Sequence, residues 1–380
     1  MRGEGRRIGA MSETPEIPGS GYRTGEALLR AGDIAGAITA FRGHLAASPD
    51  DALGWFALGS ALFFAQRWEE TRAAYARAAA IDRAYTLGGL LRPGDVETAL
   101  DPAPFLGQLP EMSMIIPPAH SGPLAVVGCD SAYFLDFGAA LALSMDKAAP
   151  GWGLHLHLIA PTTPALDLLE RLIGGLRAIT LSFSLEHLPP ALRAPEAQRT
   201  YLACLRFMRL PAILDEQQAR AGRVPVVVLD ADSLMCKPLL GPDDWRPPGP
   251  EGGWRAGWDV ALKDSGLFPL GPLWRYSASC VGLAPTDEAR AFAAHVATLL
   301  ARQALTVNGL GWMIDQFALA VAIAARQTQS PAFRLGDWPD RLYRLYENPP
   351  DAALWSFCSQ SKYDDRLYRD MVRLLLAEMG

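Results

Sequence analysis

The chain has 380 residues, half of them hydrophobic and 20% charged, with a formal net charge of −6. That balance excludes a disordered or fibrous protein and fits two domains, and the lack of a polycationic surface argues against sequence-independent binding to nucleic acid. The five cysteines (129, 204, 236, 280, 358) are scattered and form no CxxC pair, so neither a disulfide framework nor a zinc knuckle is indicated. The longest apolar runs, such as Phe317 to Ala325, are about half the length of a membrane span, and the expectation is a cytoplasmic protein with no membrane span.

Residues 1–19 read as a solvated leader. A repeat follows over 20–84: a shift of 34 residues places Gly25 on Gly59, Leu28 on Leu62 and Phe41 on Tyr75, the period of stacked helix-turn-helix units. Trp55, Leu58 and Gly59 open the second copy, Ala37 and Ala78 are small contact residues, and Pro49 closes the first copy. This segment resembles the tetratricopeptide repeat, with departures at Thr71 and Arg83. The resemblance implies a small all-α domain whose concave surface holds a protein partner. Two copies cannot cover both of their apolar faces, so a cap is expected from helical segments between Tyr85 and Leu106, within a cap and linker over 85–122, or from the following domain, with the domain boundary in the Pro- and Gly-rich stretch from Pro104 to Pro123.

From residue 123 to about 375, apolar runs of strand length alternate with amphipathic helical stretches, the pattern of an α/β domain with a mainly parallel sheet. The strand candidates are Leu124 to Gly128, Leu154 to Ile159 and Val224 to Leu229. The helix candidates are Asp136 to Ser144, Pro164 to Leu176, Gln198 to Ala221 with a kink at Pro211, and Thr286 to Gln303. A loop rich in Gly, Pro and Trp, Gly241 to Trp258, interrupts the alternation as a surface excursion or a lid.

The sharpest chemical signal is Val226-Val227-Val228-Leu229-Asp230-Ala231-Asp232-Ser233. A buried strand delivers two carboxylates at its C-terminal end, where open α/β sheets bind ligands. Residues i and i+2 of an extended chain face the same side, so Asp230 and Asp232 make a hard-oxygen pair suited to Mg²⁺ or Mn²⁺ together with substrate phosphates.

Four stretches in order extend this signal: Ala125 to Phe134, Tyr201 to Pro211, Asp230-Ala231-Asp232, and Trp312-Met313-Ile314-Asp315-Gln316. Together they resemble nucleotide-sugar glycosyltransferases of the GT-A fold (Rossmann-like), especially those related to glycosyltransferase family 8. The resemblance implies a turn at Asp130 and Tyr133 that holds the nucleotide base, an arginine near the nucleotide (Arg206, preferred over Arg209), a metal-binding pair Asp230 and Asp232, and an acidic-amide pair Asp315-Gln316 on the acceptor or donor-sugar side. Lys362 matches a diphosphate contact. The family's late histidine ligand is missing, Ser359 being the nearest residue, and His155 and His157, on one strand face, read as core or surface residues rather than ligands.

The resemblance implies transfer of a sugar from a nucleoside diphosphate sugar, UDP favoured, to a glycan or protein acceptor. Cationic groups and a metal would stabilise the leaving phosphate. Retention is the family expectation; inversion would use Asp315 as base. Trp254, Trp258 and Trp274 are candidates for an aromatic sugar platform. Two other readings stand beside this one: a phosphatase in which Asp230 is the nucleophile and Asp232 the acid, and a non-catalytic repeat-based scaffold with a degenerate transferase domain.

Overall fold

The computed structural model describes residues 20–83, 85, 91–188, 195–237, 257–269, 271–306, 313–340, 342–343, 351–356 and 361–378. The leader, most of the 241–258 loop, Trp254, Trp312, Cys358 and Ser359 lie outside them. The described residues fall into two compact units, one made of those up to 91 with those of 266–271, the other of those of 92–265 with those from 272 on.

The first unit is four helices: α1 (Ser20–Arg30), α2 (Ile34–Ala47), α3 (Ala52–Phe64) and α4 (Trp68–Ile81). Asp33 and Asp51 cap α2 and α3, accepting from Gly36 N at 2.9 Å and Gly54 N at 3.0 Å, so free backbone donors at each start are met by a carboxylate that also favours the positive helix end. The 34-residue shift has a physical basis. A Cβ on Gly25 would meet the Phe41 ring at 2.7 Å, and one on Gly59 would meet the Tyr75 ring at 2.5 Å. Each helix pair thus closes on the same contact, a glycine under an aromatic ring. Leu29, Phe41, Leu45, Leu58 and Leu62 fill the core between them.

In chain order the second unit contains α5 (Ala103–Leu106), β1 (Met112–Ile116), β2 (Leu124–Asp130), α6 (Ser131–Tyr133), a π-helical turn (Phe134–Gly138), α7 (Ala139–Ala148), β3 (Gly153–Ile159), α8 (Thr163–Gly175), β4 (Thr180–Glu186), α9 (Pro195–Met208) and α10 (Leu210–Ala221). Then come β5 (Val226–Leu229), β6 (Leu234–Met235), β7 (Val260–Leu262), α11 (Pro272–Arg275), β8 (Cys280–Leu283), α12 (Asp287–Thr306), α13 (Ile314–Gln329), β9 (Leu335–Asp337), β10 (Leu354–Trp355), α14 (Ser361–Asp364) and α15 (Arg366–Ala377). Strand β1 falls in the stretch read from sequence as a linker.

Eight strands form one mixed, mainly parallel sheet in the order β1-β4-β3-β2-β5-β8-β7-β9. The central four, β4-β3-β2-β5, are parallel, and β1 and β8 flank them antiparallel. From β2 the chain moves to β3 and β4 on one side and then returns to β5 on the other. The strand order therefore reverses between β2 and β5, and open sheets of this kind bind ligands beyond the strand ends at such a point.

Ala125, Val127, Cys129, Leu154, Leu156, Leu158, Phe183, Val227 and Leu229 turn one face to Leu141 and Met145 of α7 and Leu168, Leu169 and Leu172 of α8. Alternation sends Val126, Gly128 and Asp130 of β2, with His155, His157, Ser182, Ser184 and Glu186, to the opposite face, against which α9 packs. There a Cβ on Gly128 would sit 3.1–3.3 Å from the Arg206 backbone nitrogen, Cα and Cβ. The glycine lets α9 approach the sheet at the turn that carries Arg206.

The stretch Gln198–Ala221 is two helices. Arg209 lies between them, and Pro211 stands in the first turn of α10, where a missing N–H costs nothing. The helix expected at Asp136 to Ser144 is longer and is entered through the π-helical turn.

Candidate active site at the strand reversal

Asp130 ends β2 and caps α6, its Oδ1 accepting from Tyr133 N at 2.8 Å. The cap aims the Tyr133 ring across the strand reversal to the turn after β5. There Asp230 N donates to Ser279 O (3.1 Å) and Ser233 N to Asp230 O (3.1 Å), so the chain turns as soon as β5 ends and presents two carboxylates.

The two carboxylates have different partners. Asp230 Oδ1 pairs with Arg206 Nη2 at 2.8 Å, and Asp315 Oδ2 lies 3.5 Å from the same nitrogen. Asp232 Oδ2 accepts from Tyr133 Oη at 2.7 Å and from Lys362 Nζ at 2.6 Å, and Lys362 also reaches Tyr133 Oη. The Lys362 ammonium lies 4.6, 5.5 and 5.6 Å from the ring centroids of Tyr133, Phe137 and Tyr363, close enough for each ring face to attract it. Tyr368 Oη donates to Asp232 O at 2.7 Å.

The Asp230 side chain is 23% exposed and that of Asp232 only 4%. Burial pushes the Asp232 carboxyl up, Asp230 adds to this, and Lys362 and Tyr133 partly offset it. Burial likewise raises Asp315, against the pull of Arg206. For Arg206 burial acts the other way, but Asp230 and Asp315 outweigh it and its guanidinium is held firmly charged. Three carboxylates thus face two cations, and burial raises two of the three, Asp232 and Asp315.

The structure brings together Asp130, Tyr133, Arg206, Asp230, Asp232, Asp315 and Lys362. Gln316 sits beside Asp315 but turns its amide nitrogen to the carbonyls of Leu273 (2.8 Å) and Tyr276 (3.1 Å). Met313, just before α13, has φ +79°, a left-handed conformation costly for a side-chain residue and often found where a functional group is being aimed. Arg209, the other arginine considered, binds Glu186 through Nε at 2.7 Å. Trp258 packs edge-to-face on Trp338 with centroids 5.9 Å apart, and Trp274 is 37% exposed. His155 and His157 are buried and hydrogen-bonded to serines.

Among the described residues no group of three or more His, Cys, Asp and Glu side chains could hold a metal. Asp230 Oδ2 and Asp232 Oδ1 are the oxygens that the ion pairs leave unused. Two hard carboxylate oxygens are the donor type that Mg²⁺ or Mn²⁺ takes, but two are too few for a self-sufficient cage.

Tyr368, Phe137 and Glu186 were missed from sequence. An apolar residue at 137 and a tyrosine on a C-terminal helix carry no local signal; only the fold brings Phe137 to Lys362 and Tyr368 to Asp232.

No family model matches the chain, and no curated protein does. Among solved structures it is similar to the glycosyltransferase GlyE of Streptococcus pneumoniae TIGR4, with 12% identity over 68% of this chain and 63% of that one and a TM-score of 0.41. It is also similar to the galactosyltransferase LgtC in complex with donor and acceptor sugar analogues (13%, 67% and 95%, TM-score 0.42) and to mouse xyloside xylosyltransferase 1 (10%, 67% and 94%, TM-score 0.35). The chain thus spans less than two thirds of the length of GlyE, and likeness at this level says nothing of what it binds.

Proposed function

We propose that this chain is a glycosyltransferase of the GT-A type that moves a sugar from a nucleoside diphosphate sugar, UDP favoured, to a glycan or protein acceptor. The observation that carries the reading is the convergence of Arg206, Lys362 and the Asp230/Asp232 pair at the strand reversal between β2 and β5, the place where such sheets hold nucleotides.

Departure of the nucleoside diphosphate places growing negative charge on phosphate. Arg206 and Lys362 meet that charge with preorganised cations in a largely dry site. Tyr133 and Asp130 form the wall on which the base rests. A divalent ion held by Asp230 and Asp232 would neutralise diphosphate charge when bound. Asp315, kept partly out of water and raised in pKa, stands on the sugar side. With acceptor attack on the face the diphosphate leaves, it orients the acceptor, the leaving phosphate takes the acceptor proton and retention follows; with attack from the opposite face, Asp315 takes that proton as the base.

The experiment is release of the free nucleoside diphosphate from a panel of UDP- and GDP-sugars, by wild type and Arg206→Ala. Turnover with one donor, reduced about 100-fold by loss of one stabilising group, is the expected outcome. No release from any donor, together with no change of melting temperature on adding nucleotide, would favour the scaffold reading, which the closed Asp232–Lys362 pair also suits.

A further inference from the structure

We propose that Glu186 is a positioning residue: its carboxylate pins α9 at Tyr201 and Arg209 and so sets Arg206 against Asp230 and Asp315. The inference rests on the donor-site reading above and assigns a role in that site to a residue two strands away.

Strand β4 alternates Thr180, Ser182, Ser184, Glu186 on the face toward α9 with Leu181, Phe183, Leu185 on the other. In register beside it, β3 carries His155 opposite Ser182 and His157 opposite Ser184. A continuous ladder results. Thr180 Oγ1 is 2.6 Å from His120 Nδ1, and His120 Nε2 is 2.9 Å from Ser182 Oγ. Ser182 and Ser184 lie 2.9 Å from the two nitrogens of His155, and Ser184 lies 2.8 Å from His157 Nδ1. His157 Nε2 then lies 3.3 Å from Glu186 Oε2.

With each imidazole neutral and protonated at Nε2, every hydroxyl donates once toward Glu186 and every ring accepts once at Nδ1. The donors run one way as far as His157, whose Nε2 lies 3.3 Å from Glu186 without hydrogen-bond geometry, and the Glu186 side chain has no solvent exposure. Burial would raise Glu186, but His157, Arg209 and Tyr201 outweigh it and keep it ionised.

Three features tie this anchor to Arg206. Glu186 takes the Tyr201 hydroxyl on its other oxygen and the Arg209 guanidinium at 2.6–2.7 Å, one point in α9 and one just past its end, which bracket Arg206 in the chain. At Gly128 the helix meets the sheet at the Arg206 backbone, so a shift of α9 moves Arg206 directly. Finally, the Arg206 guanidinium holds Asp230 at 2.8 Å and donates to Ala203 O at 2.7 Å and Ala278 O at 3.1 Å, while its buried Nε meets no acceptor among the described residues. A displacement of the helix backbone at Arg206 strains these contacts together.

The test uses the full chain with Glu186→Gln, which keeps size and loses charge, and Tyr201→Phe, a milder change should the first fold poorly. Two readouts are taken. The first is the rate at which phenylglyoxal modifies Arg206, followed by mass spectrometry, and the second is UDP affinity by calorimetry in a cycle with Arg206→Ala. Modification of Arg206 rises several-fold in Glu186→Gln. UDP binding weakens about 10-fold in the wild-type background and not at all in Arg206→Ala, the non-additivity expected of residues acting through one another. Unchanged Arg206 reactivity overturns the proposal, and so does an equal loss of affinity in both backgrounds. Raised reactivity in a protein whose wild type binds neither UDP nor GDP upholds the positioning and removes the donor-site reading alone.

Discussion

Replacing Lys362 with Met tests the pairing at the centre of the site. The Asp232 side chain is 4% exposed and that of Lys362 11%, with 2.6 Å between Nζ and Oδ2, so the change leaves a carboxylate out of water with the Tyr133 hydroxyl on that oxygen and Asp230 repelling it. Breaking a buried pair by removing one partner costs about 3–5 kcal/mol. Part returns because Asp232 takes up a proton, so about 2–3 kcal/mol is expected at neutral pH, or about 5–10 °C in melting temperature for a unit of this size. The pH dependence has a definite sign. Asp232 is already raised in the fold, and loss of Lys362 raises it further. The folded variant therefore binds a proton that the unfolded chain has released, and its stability falls as pH rises from about 4 through the folded value. The assay is thermal unfolding of wild type and Lys362→Met at pH 5 and pH 8. The deficit should be larger at pH 8 and shrink at pH 5; a deficit independent of pH, or none, would refute the reasoning.

Asp315→Asn should raise the melting temperature at pH 7 while impairing transfer. Burial already raises this carboxyl, so the ionised form costs stability that is recovered as pH falls, and the gain should vanish near pH 4, as calorimetric scans at both pH values would reveal. Gly128→Ala should cost about 1–2 kcal/mol through overpacking against α9 and lower the affinity for nucleotide, both readable from urea unfolding and a binding titration. Removal of residues 20–84 should abolish transfer to the natural acceptor and spare slow donor hydrolysis; equal loss of both would refute a role for the helical repeats in presenting the acceptor.

What the residues revealed in advance followed from burial. Val226 to Leu229 are buried on both faces, so an unbroken apolar run announced a central strand and, at its end, Asp230 and Asp232. The 34-residue repeat was legible because Gly25/Phe41 and Gly59/Tyr75 are contact pairs that the shift superimposes. Strand β4 was not legible. Its Thr, Ser and Glu side looks like a solvated face, yet Ser182, Ser184 and Glu186 are buried, because His120, His155, Tyr201 and Arg209 satisfy them. Lys362 could be matched to a phosphate contact by resemblance, but its pairing with Asp232, 130 residues away, is a product of the fold. The same holds for Arg206 in α9 and Arg209 just past its end, three positions apart, which meet different carboxylates.

The central claim is that the strand reversal holds a nucleoside diphosphate. Calorimetric titration of UDP, with and without Mn²⁺, into wild type and into Asp230→Ala/Asp232→Ala tests it most directly. Saturable binding to wild type that Mn²⁺ strengthens and the double substitution abolishes is the predicted result. Binding of equal strength in both proteins, or none to wild type with either UDP or GDP, would contradict it.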